Sequence, residues 1–162
     1  MLRGPSRFLL VVAATTFLGA LTADRAWAAF TYSTFGAKAG FIVPEERNES
    51  FALGVHVQLG KPRTNFLMLP GIMYWSSGGL SDLNANFDAY YSLSVGTSVV
   101  PFIGAGIGLH LLRFENTNLN LGTNLFGGIR IPAPGMDWFV EGRYTSTEVS
   151  QLGVLVGLTL RP

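Results

Sequence analysis

The chain of 162 residues holds two histidines, His56 and His110, and no cysteine. A serine hydrolase needs its nucleophile within hydrogen-bond reach of a base. No serine follows two residues after His110, where the sequence continues "HLL". Ser92 and Ser94 occupy polar positions of "NANFDAYYSLSVG", but their spacing sets neither against a histidine. A metal site needs further ligands at useful spacing, and "HVQ" and "HLL" supply none. "GAGIG" at 104–108 lacks the Lys and Ser/Thr, or the third glycine at the required spacing, of a phosphate cradle. No catalytic, cofactor-binding or metal-binding set is therefore expected, and the chain reads as a non-enzyme that needs no cofactor.

What retains chemical capacity is a set of charges on the polar positions of otherwise apolar segments: Lys38, Asp88, Arg130, Glu141 and Arg143. They can line an ion path or form a salt-bridged plug. Charges withdrawn from water cost several kcal/mol unless paired, which favours the plug. Glu141 and Arg143 lie two residues apart, on one face of a strand, where each can pair across the ladder. Trp75, Trp138, Tyr74, Tyr91 and Tyr144 read either as rings anchored at a membrane interface or simply as good strand formers.

The elements that must position these groups alternate with period two. In "FALGVHVQLG", Phe51, Leu53, Val55, Val57 and Leu59 oppose Ala52, Gly54, His56, Gln58 and Gly60. "NANFDAYYSLSVG", "NLNLGTNLFGGIRI", "DWFVEGRYT" and "QLGVLVGLTL" repeat the pattern, and "TFGAKAGFIV" follows it more weakly. "NFLMLPGIMYW" is apolar on both faces and contains Pro70, so its strand assignment leaves its faces open. "PFIGAGIGLHLL" puts Gly104, Gly106 and Gly108 on one face and Ile103, Ala105, Ile107, Leu109 and Leu111 on the other.

As a helix, that last segment would present a small-xxx-small pair within an uncharged run, 95–112, close to the length of a bilayer span. Pro101 would fall inside such a span, whereas it is tolerated at a strand start. As a strand, it offers an apolar face and a face with room for neighbouring side chains.

Residues 1–28 read as a secretory signal peptide: Arg3 and Arg7, then "FLLVVAATTFLGAL", then the small-x-small site "AWA". Three of the 11 Lys and Arg and one of the 10 Asp and Glu lie in this leader, leaving 8 against 9. A near-neutral balance offers no electrostatic reason for nucleic acid as a partner. Charged residues are 13% of the chain, about half the share usual in soluble domains. Residues 29–162 then form one domain of about eight strands, each roughly ten residues long. This predicts an all-β fold, an eight-stranded antiparallel up-and-down transmembrane β-barrel, in which every backbone group is paired without an open edge.

"PFIGAGIGL", "FVEGRY" and the closing "QLGVLVGL" together resemble the small outer-membrane β-barrel family of the OmpA transmembrane domain and OmpX. The resemblance implies assembly by the barrel-insertion machinery, with Gln151, Gly153, Val156 and Leu158 matching its polar-x-Gly-x-x-apolar-x-apolar signal. The family usually ends on an aromatic residue, and here Leu160 stands nearest that place. The resemblance also implies termini in the periplasm, with "PEERNE", "SSGGLSD", "ENT" and "TSTEVS" facing outward from the cell. "GKPRT", the "GTS" break and "PAPG" would then be periplasmic turns.

The expected function is an integral protein of the Gram-negative cell outer membrane, exported through a cleaved signal peptide. Its role would be structural or interactive, with outer-membrane lipid and the insertion machinery as partners and an extracellular or envelope partner unspecified. A soluble periplasmic lipocalin-like carrier is the alternative from another class. It inverts the same alternation and turns Leu53, Ile107 and Val154 into a ligand cavity. A pore-forming, porin-like or lipid-modifying version of the membrane barrel is the third reading.

Overall fold

A computed structural model describes residues 32–60, 64–93 and 98–161. The proposed leader, Lys61 to Arg63 after Gly60, and most of the "GTS" break lie outside the described residues. Eight strands form: β1 Tyr32–Pro44, β2 Ser50–Gly60, β3 Phe66–Ser77, β4 Leu80–Ser92, β5 Val100–Arg113, β6 Thr117–Ala133, β7 Met136–Ser146 and β8 Gln151–Leu160. Each pairs antiparallel with the next, and β1 pairs with β8, closing the barrel.

Closure is carried by a run from Gly36↔Thr159 to Pro44↔Gln151, so no strand edge is left unpaired along this seam. The β2–β3 ladder omits the two pairs that would include Leu69 and Pro70, while the register before and after is continuous. Pro70 has no N–H to donate, which accounts for the interruption. On its other side Pro70 stays in register with Phe87 of β4.

The turns follow their glycines. "SSGGLSD" is shorter than a seven-residue loop: Ser77 pairs with Leu80, and Gly78 and Gly79 adopt φ of 56° and 82°. Two successive positive φ values define the type I′ turn that matches the twist of a hairpin. Asp82, placed in that loop by its sequence neighbourhood, therefore belongs to β4 and points inward.

Alternation decides the faces. Along β4 the inward positions Asp82, Asn84, Asn86, Asp88, Tyr90 and Ser92 are buried, while Leu83, Phe87 and Tyr91 are exposed on the outer wall. The ambiguous β3 resolves with Leu67, Met73 and Trp75 inside and Phe66, Ile72 and Tyr74 outside. Trp138, Tyr74, Tyr91 and Tyr144 face outward, but Trp75 does not: it is fully buried, so it is not an interface ring. Its indole instead donates to Asp82 Oδ2 at 3.1 Å.

Two apolar clusters fill the ends of the lumen. Ile42, Ala52, Met73, Trp75, Leu80, Leu112 and Leu155 pack beneath the loops that join β1–β2, β3–β4, β5–β6 and β7–β8. Leu67, Tyr90, Phe102, Phe126 and Phe139 pack toward the end that carries the chain termini. The charged groups lie between them.

Candidate functional site

The site is the barrel interior. Lys38 stands on β1 with glycine as its register partner on both sides, Gly54 and Gly157, which leaves space beside its long side chain. Its Nζ lies 3.2 Å from Glu141 Oε1. The same carboxylate oxygen accepts from Arg143 Nε at 2.7 Å, and Arg143 Nη2 donates to Asp88 Oδ2 at 2.7 Å. The guanidinium also lies over the Phe126 ring, 4.5 Å from its centroid. Two cations and two anions on three strands thus neutralise one another.

From Asp88 the network climbs β4, because a strand returns every second side chain to the same face. Asn124 Nδ2 donates to Asp88 Oδ1 at 2.9 Å and to Asn86 Oδ1 at 2.8 Å. Asn86 donates to Asn84, and Asn84 to Asp82 Oδ2 at 3.0 Å. His110 Nδ1 meets that same Asp82 oxygen at 2.8 Å, beside the Trp75 indole. Thr145 Oγ1 closes the side of the network by donating to Asn124 Oδ1 at 2.8 Å.

The glycine stripe on β5 makes this possible. Asp88 and Asn86 sit beside Gly106 and Gly108, and Asn124 on β6 sits on the far side of Gly106. Side chains from β4 and β6 therefore meet above β5, where any Cβ would obstruct them. A Cβ at Gly106 would fall onto Asp88 Oδ1 and lie 2.7 Å from Phe87 O, and one at Gly108 would lie 2.6 Å from Asn86 Oδ1. At Gly104 the space is taken by the Phe126 ring.

This yields a matched test. Gly106→Ala is expected to lower stability by about 1–3 kcal/mol through overpacking. Gly142→Ala, where the added Cβ meets only Gly127 O at 3.9 Å, should stay within about 0.5 kcal/mol of the parent. Urea midpoints of the folded barrel measure both, and equal midpoints would show that β4 and β6 do not meet over β5.

The five charges read from the sequence are not one cluster. Lys38, Glu141, Arg143 and Asp88 are joined, whereas Arg130 lies nearer the termini. There it donates to Tyr90 Oη at 3.2 Å and Ser92 Oγ at 3.3 Å, and it stands 4.0 Å from Asp137 Oδ2. Asp137 in turn pairs with Arg161 at 2.5 Å. The sequence reading missed Asp82, Asn84, Asn86, Asn124 and Thr145 as network members. Their signal was parity: each is a polar residue on the small or polar face of its strand.

The two histidines have separate partners. His56 Nε2 lies 3.1 Å from Thr159 Oγ1, and His110 Nδ1 lies 2.8 Å from Asp82 Oδ2, with no serine hydrogen-bonded to either ring among the described residues. Ser92 binds Arg130; Ser94 lies outside the described residues. No group of three His, Cys, Asp or Glu among the described residues is placed to hold a metal ion. Of the closing-strand residues, Gln151 and Gly153 face the lumen and Val156 the outer wall, while Leu158 is half-buried on that wall.

Outside, the wall is apolar around the barrel: Phe35, Leu53, Phe87, Ile107, Leu121 and Val154 are among the large side chains exposed there. Charge within and hydrocarbon without, on a closed eight-stranded antiparallel sheet, is the inverse of a water-soluble carrier. The chain has the fold of the small outer-membrane β-barrels.

It is similar to Neisserial surface protein A (NspA), with a TM-score of 0.64 and 11% identity over 80% of this chain and 96% of that one. Similarity to the N-terminal β-barrel domain of Pseudomonas aeruginosa OprF gives a TM-score of 0.60 and 10% identity, covering 78% of this chain and 96% of that one. The outer-membrane enzyme PagL is similar at a TM-score of 0.52 and 18% identity, over 81% of this chain and 99% of that one. No family model matches the chain, and no curated protein matches it in sequence.

The soluble-carrier alternative is corrected by these faces. Leu53, Ile107 and Val154, which would line its cavity, are 54%, 53% and 59% exposed on the outer wall.

Proposed function

We propose that the protein is an integral outer-membrane β-barrel with a non-enzymatic, structural or interactive role. The single observation that carries this reading is the outward apolar wall around a charged and paired lumen. In water such a wall would aggregate; in lipid it is the favourable surface, and the closed ladder satisfies the backbone that lipid cannot. Its interior acts as a plug. Trp75, Leu80, Leu112 and Leu155 cover the loop end, and the Lys38–Glu141–Arg143–Asp88 cluster crosses the lumen below them.

Residues 1–28 serve in this reading as the export signal. Gln151, Gly153, Val156 and Leu158 serve as the closing-strand signal for the insertion machinery. Outer-membrane lipid is the permanent partner. The similarity to an outer-membrane enzyme is one of fold, and the non-enzymatic reading rests on the partners of the two histidines, Thr159 for His56 and Asp82 for His110.

Cell fractionation followed by a gel of unboiled and boiled membrane samples tests the proposal. The expected result is recovery in the outer membrane with a faster-migrating unboiled band, and no stepwise conductance when the protein is placed in a planar bilayer. Recovery as a soluble periplasmic protein would overturn the membrane reading. Steady conductance would overturn the plug.

A further inference from the structure

The seams of the barrel do not all end together at the loop side. β5 keeps its β4 partner to its last residue, Arg113 opposite Ser81, and β1 follows β8 as far as Pro44 opposite Gln151. Between β6 and β7 the ladder stops at Thr123 opposite Ser146, although β6 begins at Thr117. The stretch "TNLNLG", 117–122, is therefore paired with β5 alone. The chain that would cover its other side turns away. Val149, in the β7–β8 connection, packs onto the apolar cluster that caps the lumen, and that connection reaches the stretch through Asn120 Nδ2, which donates to Glu148 Oε2 at 2.6 Å.

The backbone groups on the free side follow from the register. Leu93 donates its N–H to Pro101 O at 2.8 Å, so odd-numbered residues of β5 spend their backbone groups on β4 and even-numbered ones on β6. The β5–β6 register is unbroken, which pairs the backbone of Asn118, Asn120 and Gly122 with β5 and turns that of Thr117, Leu119 and Leu121 to the free side. No backbone hydrogen bond among the described residues reaches them there. Leu119 and Leu121 are 68% and 67% exposed, more than any other large apolar side chain among the described residues.

Exposed strand edges are ordinarily blunted by lysine, proline or a bulge, because a row of unpaired N–H and C=O groups is a template for another strand. This one is not: "TNLNLG" carries no charge and no proline, and its ladder with β5 has no bulge. It begins beyond Leu125, the register partner of Tyr144, toward the loop end.

A row of alternating donors and acceptors matches an extended backbone. Side chains of an added strand would lie apolar beside Leu119 and Leu121 and polar beside Asn118 and Asn120. Charge sets its ends. Glu115, at the hairpin tip, and Glu148, at the base of the free edge, have no ion-pair partner among the described residues, while Arg113 stands on β5, one strand removed. A second copy is a poor occupant: in one membrane its β6 runs in the same sense, and the tilt of barrel strands makes two such edges cross.

We propose that the free edge of β6 captures an extended segment of a partner protein, alternately apolar and flanked by basic residues, as an added strand in the place that β7 leaves empty. The edge belongs to the fold, and only its outward direction and the exclusion of a second copy rest on the membrane reading.

The probe is a capped, fluorescein-labelled octapeptide of alternating valine and threonine with a lysine at each end, titrated by anisotropy into the folded protein in zwitterionic detergent. Saturable binding is expected, and N-methylation of all internal residues of the peptide, which removes its donors and keeps its side chains, should abolish it. Leu119→Pro removes one free-side donor without touching the β5 ladder, a position where proline is tolerated, and should weaken binding about tenfold. Glu115→Gln with Glu148→Gln should weaken it about threefold, and Glu46→Gln, in the β1–β2 connection, should bind as the parent does. In the free protein the amides of Leu119 and Leu121 should exchange faster than those of Asn118 and Asn120, and the peptide should slow the first pair.

Three results would overturn the proposal: no saturable binding, equal binding of the N-methylated peptide, or binding that leaves exchange at Leu119 and Leu121 unchanged. The methylated peptide acts on the parent protein, so the test stays decisive if Leu119→Pro fails to fold. Membrane location is decided separately by fractionation, so failure of the edge and failure of the membrane reading are distinguishable.

Discussion

Glu141→Ala is expected to lower the unfolding free energy of the barrel by about 3–5 kcal/mol, the range seen when one partner of a buried ion pair is removed. Glu141 is 3% exposed, and its Oε1 is the shared acceptor of Lys38 and Arg143. Alanine leaves Lys38 without its ion-pair partner and Arg143 with Asp88 alone. Most of the loss is thus the cost of an uncompensated ammonium inside the lumen, more than the worth of the bond itself. Adding Lys38→Met to the variant should recover a large part of the loss, because a long apolar side chain needs no partner there. A urea titration read by the unboiled and boiled mobilities measures both. An unchanged midpoint for Glu141→Ala would place Glu141 in water and remove the plug.

The second large effect lies on the opposite face of the next strand. Val156 is 50% exposed near the middle of β8, between Ala39 of β1 and Val140 of β7. Val156→Arg should cost about 2–4 kcal/mol in a bilayer if the position lies near the midplane. Less folded protein should then reach the outer membrane. On a wall in contact with water the same substitution would stay within about 0.5 kcal/mol, so the experiment separates lipid from water as the solvent of this face. Unimpaired insertion with an unchanged midpoint in lipid vesicles would sink the lipid-facing assignment.

Eight strands, their faces and their antiparallel order were legible because each depends on local alternation. Leu53, Phe87, Ile107 and Val154 declare an outer face by their own neighbours, and side chains two residues apart along a strand cannot avoid sharing it. The one unreadable strand was β3, where apolar residues occupy both faces. There Met73 and Trp75 face a buried apolar cluster and Ile72 and Tyr74 face the outer wall, so hydrophobicity carries no contrast. Trp75 shows the cost of that ambiguity: ring chemistry suits an interface, but only its β3 register turns it toward Asp82.

The turns divide in the same way. Gly78 and Gly79 could be seen as a break, yet the length of the break depended on whether Ser77 and Leu80 pair, which is a contact between strands. Sequence neighbourhood alone therefore puts Asp82 in a loop, whereas the strand pairing makes it the meeting point of Trp75, Asn84 and His110.

By itself, the sequence determined a closed set of alternating strands with charged groups on the face opposite the hydrocarbon. Only the tertiary structure decided which charges meet. Lys38, Asp88 and Glu141 lie on β1, β4 and β7, none adjacent to another in the sheet. Their contacts with Arg143 exist because closure folds the inner face onto itself and the β5 glycines let β4 and β6 side chains cross. Alternation is a property of one strand, whereas distance across a lumen is set by the curvature and register of all eight.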